Sequence, residues 1–188
     1  MKKVKFGIVG VGDFGVMHIQ ALKQLPEAEV HAVSCRTESR LKAICEKYKI
    51  PNWYTNVDDL MNDPEMDVII VATGEDTHYS FTEKAIREGK HVLLEKPICL
   101  NVEDGKKLLE LEQNTDLYIL PGHILRYDAS YNNAYRILQN EDMYGKILSI
   151  RVKRNVPIER FSLHSRTHPV FMALAHDIAV SYTHLRAH

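Results

Sequence analysis

The 188-residue chain is poor in cysteine: Cys35, Cys45 and Cys99 are the full set, and no two of them form a C-x-x-C pair. An odd, scattered set excludes a disulfide framework and the paired-cysteine zinc motifs, and it points to reduced thiols in a cytoplasmic setting. An excess of one charge is also missing. Lys plus Arg number 24 against 25 Asp plus Glu, a net charge of -1. No basic field is present to hold nucleic acid or an anionic membrane surface. No apolar run approaches the roughly 20 residues that span a bilayer. The start, Met1-Lys2-Lys3-Val4-Lys5, leads directly into an apolar run, so no signal peptide is expected. Internal repeats and low-complexity segments are lacking too. What remains is 45% hydrophobic residues, ample for a core, in a length that makes one full domain and part of a second.

The apolar run Val4-Lys5-Phe6-Gly7-Ile8-Val9 is followed at once by Gly10-Val11-Gly12-Asp13-Phe14-Gly15, a G-x-G-x-x-G turn, and by an amphipathic stretch from Phe14 to Leu25. This is the strand–turn–helix pattern of a dinucleotide site. Gly10 serves the tight turn, Gly12 lets a pyrophosphate approach the backbone, and Gly15 lets the helix lie close on the sheet. The helix N-terminus offers unpaired N–H groups to the phosphates.

The tip of the next strand bears on which dinucleotide. An acid about 20 residues past the glycines would hold the ribose hydroxyls of NAD. Here Val30-His31-Ala32-Val33-Ser34 ends on Cys35 and Arg36. A guanidinium pairs with a 2′-phosphate, which a carboxylate would repel. Ser34 and Thr37 add hydroxyls, and Arg40 lies four residues after Arg36 on the same helical face. The expected cofactor is NADP, with NAD possible.

The rest of the first domain alternates strand and helix. Helices are expected over 37–49, 57–62, 79–88 and 101–114, the last capped by Asn101. Strands are expected at Trp53-Tyr54, Val68–Ala72, His91–Leu94 and Leu117–Leu120. Val68-Ile69-Ile70-Val71-Ala72 is apolar throughout, the mark of a strand covered on both faces. Right-handed crossovers then give an α/β, doubly wound Rossmann sheet in the order 3-2-1-4-5-6. Thr73, Glu95, Lys96 and His123 fall at the carboxyl ends of strands, where such sheets bind ligands.

Glu95-Lys96-Pro97 after the fifth strand, Ala72-Thr73-Gly74-Glu75-Asp76-Thr77-His78 after the fourth, and the opening glycine turn together resemble the Gfo/Idh/MocA oxidoreductases. The resemblance runs from Val4 to about Ile178. It implies a nicotinamide-dependent dehydrogenase acting on the secondary alcohol of a sugar, cyclitol or derivative, and a homo-oligomeric full-length protein. Gly122-His123-Ile124-Leu125-Arg126-Tyr127-Asp128 and Arg154-Asn155 resemble the branch acting on inositols, which brings Arg126 to the cofactor set. Lys96 resembles the family lysine that touches both substrate hydroxyl and nicotinamide, and Glu95 is expected to orient it. The Lys96-Pro97 peptide is often cis in relatives. His176 resembles the histidine of the family's D-x-x-x-H motif, but Met172 stands where aspartate is usual. Lys96 and His176 are therefore the catalytic candidates. A cofactor-binding regulatory protein that has lost catalysis is the alternative that Met172 keeps open.

His18 and His78 are read as structural or cofactor-adjacent. His164, His168 and His176 carry metal-ligand types, but Pro169 interrupts any helix through all three, and no metal is expected. The domain boundary is expected at 122/123. The second, α+β domain is expected to open with a helix over 128–139 and an alternating strand over 147–154, and then to be cut short near 179. Val180 to His188 shows no apolar helix pattern and resembles one reading frame of a transposase adapter used in sequencing libraries. The expectation is a non-native tail on a truncated, inactive chain.

Overall fold

In the computed structural model the described residues are 2–146, 148, 149, 151, 153, 155 and 174–183. The chain divides into two compact units after Gly122. The first contains strands β1 (Val4–Val9), β2 (Ala28–Ser34), β3 (Asn52–Tyr54), β4 (Val68–Val71), β5 (His91–Leu94) and β6 (Ile119–Pro121). All pairings are parallel, and the order is β3-β2-β1-β4-β5-β6. Helices α1 (Asp13–Leu22), α2 (Glu38–Tyr48), α3 (Val57–Met61), α4 (His78–Arg87) and α5 (Val102–Gln113) connect successive strands. This is the doubly wound Rossmann arrangement that the sequence pattern predicts.

The strand sequences place a core on each face of the sheet. Successive side chains point to opposite sides. Ile8 and Ile70 therefore join Val30, Val33, Ile19, Leu22 and Leu41 on one face. Their neighbours Val9, Ile69 and Val71 join Leu60, Met61, Ala85, Ile86 and Leu108 on the other. Ile8, Ile69 and Ile70 are essentially inaccessible to solvent. Each such side chain contributes about 1.5–3 kcal/mol of transfer free energy.

Helix ends follow local chemistry. The Asn101 side chain accepts the Asp104 backbone N–H at 2.8 Å, capping α5 as expected. Asn56 does the same for α3 through the Asp58 N–H at 3.0 Å. α1 stops at Leu22, short of the expected Leu25. Gln24 and Leu25 donate to carbonyls only three residues back, and Pro26 disfavours a helical residue before it. β6 starts at Ile119 and not at Leu117. Side chains hold its entry: Tyr118 N–H donates to His91 Nδ1 at 3.2 Å, and Ile119 N–H to Glu112 Oε1 at 2.8 Å.

In the second unit a 3-10 turn (Ile124–Tyr127) precedes α6 (Ala129–Leu138). Asp128 caps α6, its carboxylate accepting the N–H groups of Ser130 and Tyr131. α7 (Glu141–Tyr144) follows, and α8 (Ala175–Thr183) packs on the 3-10 turn. One expectation fails here. Leu148, Ser149, Arg151 and Lys153 lie in no strand, and the positions between them fall outside the described residues. A strand needs a ladder partner, and among the described residues this segment has none. α8 itself runs past residue 179 to Thr183, and Val180 is buried.

Lys49 ends α2 with φ 51° and ψ 54°, the one non-glycine residue with positive φ among those described. The left-handed conformation costs an L-residue about 1–2 kcal/mol, which glycine avoids. The Lys49 carbonyl, which accepts from Lys23 Nζ, is kept in a glycine variant. Lys49→Gly is expected to stabilise the chain by ~0.5–1 kcal/mol after glycine's extra unfolded-state entropy is subtracted. Urea unfolding should show a higher midpoint with an unchanged slope.

Candidate functional site

The carboxyl ends of β1 and β4 build the glycine turn. Gly10 N–H donates to Ser34 O at 2.8 Å, and Ala72 N–H to Val9 O at 2.9 Å. Gly10 has φ +93°, and a Cβ there would lie 2.4 Å from the Ala72 carbonyl oxygen. At Gly15 a Cβ would lie 1.9 Å from the Gly10 carbonyl oxygen. These two glycines are required by the fold itself. Gly12 differs. Its backbone (φ −70°, ψ −167°) suits any residue, and a Cβ would meet nothing within 4 Å. The space over Gly12 is open, at the start of α1, where no side chain caps the helix. The first-turn N–H groups of Asp13, Phe14 and Gly15 have no intrahelical acceptor. Open space plus oriented donors fits a pyrophosphate.

The tip of β2 carries the second cluster. Ser34 is buried, and it contributes its carbonyl to Gly10. Cys35 Sγ–H donates to Thr37 O at 3.4 Å. Thr37 precedes α2 without using its side chain as a cap. Arg36 and Arg40 are exposed. Glu38, the acid between them, pairs with Lys42 at 2.7 Å, and among the described residues neither guanidinium has a salt-bridge partner.

The third cluster lies at the end of β5. Glu95 is buried. Its Oε1 is 2.9 Å from His18 Nε2, and its Oε2 accepts the Lys96 backbone N–H at 3.2 Å. Burial pushes the Glu95 carboxyl up. The bond and charge of His18, with the N–H and ammonium of Lys96, outweigh burial and hold it below the usual carboxylate value. For Lys96 burial dominates. It lowers the amine's pKa against the opposing pull of Glu95 and Glu75. Lys96 Nζ stands 5.6 Å from the ring centroid of Phe14, within the glycine turn. The Lys96-Pro97 peptide is cis. Gly122 leaves room for the acid: a Cβ there would lie 3.3 Å from the Glu95 carboxyl atoms.

Two further residues tie the loops together. His78 is buried, its Nδ1 2.6 Å from Pro97 O and its Nε2 3.3 Å from Thr73 O. It bridges the loops after β4 and β5 from beneath and does not face outward. Thr73 Oγ1 is 2.7 Å from Thr77 Oγ1. In the second unit His176, on α8, meets His123 edge to face with ring centroids 6.4 Å apart, and Arg126 lies in the 3-10 turn. Met172, Arg154, His164 and His168 fall outside the described residues. Among the described residues no group of three His, Cys, Asp or Glu side chains could hold a metal ion, and no helix is long and apolar enough to cross a membrane.

Sequence reasoning passed over what His18 and Glu75 do. The signal for His18 was present: it follows Phe14 by four residues, so the two share a helical face. Its partner, 77 residues away, was not readable from spacing.

An oxidoreductase family model with an NAD-binding Rossmann fold, Gfo/Idh/MocA, matches residues 4–123. Myo-inositol 2-dehydrogenase of Thermotoga maritima is 27% identical over 82% of this chain and 46% of its own length. Inositol 2-dehydrogenase of Salmonella paratyphi B is 28% identical over 95% of this chain and 54% of its own. The crystal structure of scyllo-inositol dehydrogenase from Lactobacillus casei, with bound NAD(H) and scyllo-inositol, superimposes with a TM-score of 0.85. It is 24% identical and covers 95% of this chain and 55% of that one. The chain thus spans about half the length of the curated relatives it matches. The glycine turn, the sheet order and the match over residues 4–123 agree: the chain belongs to the Gfo/Idh/MocA oxidoreductase family, with its NAD-binding Rossmann fold.

Proposed function

We propose that this chain is the cofactor-binding part of a dehydrogenase that moves a hydride between a nicotinamide dinucleotide and a secondary alcohol carbon of a sugar, cyclitol or derivative. The observation that carries this reading is Lys96. Its amine lies over the Phe14 ring of the glycine turn, beside an ionised acid, with burial favouring the neutral form. Once it has lost its proton, an amine at that place is a base for a hydroxyl proton. The inositol dehydrogenase relatives, and the neighbour solved with scyllo-inositol, support a polyol as substrate.

Each cluster then has a task. When bound, the dinucleotide accepts or supplies the hydride. Gly12 and the N–H groups of Asp13, Phe14 and Gly15 hold the pyrophosphate. Arg36, with Arg40 and Thr37, takes the 2′-phosphate of NADP. The Lactobacillus casei neighbour holds NAD(H). The NADP reading rests on Cys35 and Arg36 standing where an acid would hold the ribose diol. Lys96 removes the hydroxyl proton, Glu95 orients it, and Thr73 and His78 shape the loop walls. In the second unit His176 is a second proton donor or substrate contact, and Arg126 a cofactor contact. A polyol-processing enzyme of this kind works as a homo-oligomer in the cytoplasm.

Three substitutions test this reading. The methyl group of Gly12→Ala meets nothing within 4 Å among the described residues, so stability should stay within about 0.5 kcal/mol. The dinucleotide should bind at least ~10-fold more weakly, because the methyl group occupies the space over the turn. Calorimetric titration beside thermal unfolding separates the two effects. Arg36→Ala should weaken NADPH by ~1.5–3 kcal/mol, the range for a charge-assisted hydrogen bond, and leave NADH nearly unchanged. Equal losses for both cofactors would remove Arg36 from the phosphate site. Lys96→Ala, placed in the enzyme encoded by the whole gene and assayed against a polyol panel, should lose ~10²–10⁴-fold in turnover while cofactor binding survives. Near-normal turnover in that variant would refute the assignment of Lys96 as base. Cofactor binding with no turnover of any polyol by the unmutated enzyme would favour the regulatory alternative.

A further inference from the structure

A buried carboxylate is held most firmly when donors engage both of its oxygens. Glu95 has such a pair. The Lys96 backbone N–H on Oε2 comes with the chain, being the next residue. The bond on Oε1 comes from another element, the His18 imidazole on α1. One turn earlier on the same helix, Phe14 places its ring beneath the Lys96 amine. A single face of α1 therefore touches both members of the Glu95–Lys96 pair.

We propose that His18 is a positioning residue for this pair: its Nε2–H donates to Glu95 Oε1 and keeps the carboxylate from turning toward the Lys96 amine. The inference rests on the reading of Lys96 as the base. The groups bearing on the lysine's charge in this unit are Glu95 beside it and Glu75 from the 3-10 turn (Glu75–Thr77) before α4, both favouring the ammonium, with burial opposing them. His18 acts on that balance by tethering the nearer acid. A carboxylate that has lost one of its two donors can turn toward a neighbouring cation, and charge-assisted bonds are the strong ones. Without His18, Lys96 would be held more firmly in its protonated form and would be a poorer base at neutral pH.

The test follows the lysine directly in the 188-residue chain. Carbon-13 labelling of lysines lets the Lys96 ε-signal, assigned by its loss in Lys96→Gln, be titrated by NMR. In His18→Ala its midpoint should move to higher pH. In His18→Gln, whose amide N–H can donate to the same oxygen, it should stay at the wild-type position. An unchanged or lowered midpoint in His18→Ala overturns the proposal, and so does an equal shift in the two variants. Circular dichroism checks that both fold. Should His18→Ala not fold, the wild-type chain decides through nitrogen-15 spectra of its imidazoles, in which His18 Nε2 should carry a proton. An unprotonated Nε2 overturns the proposal. These results are independent of turnover, so failure of Lys96→Ala to abolish catalysis would sink the functional reading, whereas the titration alone sinks this one.

Discussion

The contact between the ends of β1 and β4 governs everything at the carboxyl edge of the sheet. Val9 and Ala72 are joined by a backbone hydrogen bond, and Gly10 passes so near the Ala72 carbonyl that no side chain fits. That approach sends the chain over the sheet edge with φ +93°. It starts α1 against the Gly10 carbonyl, where Gly15 must in turn lack a side chain. The direction of α1 follows from these two close contacts. So do the places of Phe14 and His18, which reach the Lys96 amine and the Glu95 carboxylate. A geometric requirement of the backbone thus arranges the charged chemistry one strand further along the sheet.

The energetic logic of Glu95 and Lys96 is a competition in which burial acts on both and wins only once. Desolvation pushes each group toward its neutral form. Glu95 collects two hydrogen bonds and a nearby cation, and these keep it ionised. Lys96 has anionic neighbours too, but their pull is smaller than the cost of its burial. Adjacent residues on one loop are therefore driven apart in charge behaviour. The acid is held below its ordinary value by its partners, and the amine below its own by burial.

Much of the fold could be read from short-range pattern. The apolar run of β4, the glycine spacing after β1 and the Asn101 cap are each decided by residues within a few positions of one another, and the structure places them as that chemistry requires. What could not be read was set at long range. The start of β6 depends on bonds from His91 and Glu112. His78 is drawn beneath the loops by carbonyls of Thr73 and Pro97. The His18–Glu95 contact crosses from the first helix to the fifth strand. Alternation over 147–154 suggested a strand, but alternation states only which face would be buried and cannot supply a neighbouring strand to pair with. Helix α8 also runs through Val180, which is buried although no apolar pattern marks the residues after 179.

Gly122 closes the first unit with its N–H on the Leu94 carbonyl at 2.7 Å and its bare α-carbon against the Glu95 carboxyl. The sixth strand lies at the sheet edge and supplies no ionisable side chain from Ile119, Leu120 or Pro121. The residue after it nevertheless brings bare main chain, with no competing charge, up to the acid on the strand beside it. A side chain at residue 122 would have to share the space that the Glu95 carboxyl occupies, so the last residue of the first unit is constrained by the acid on the strand beside it.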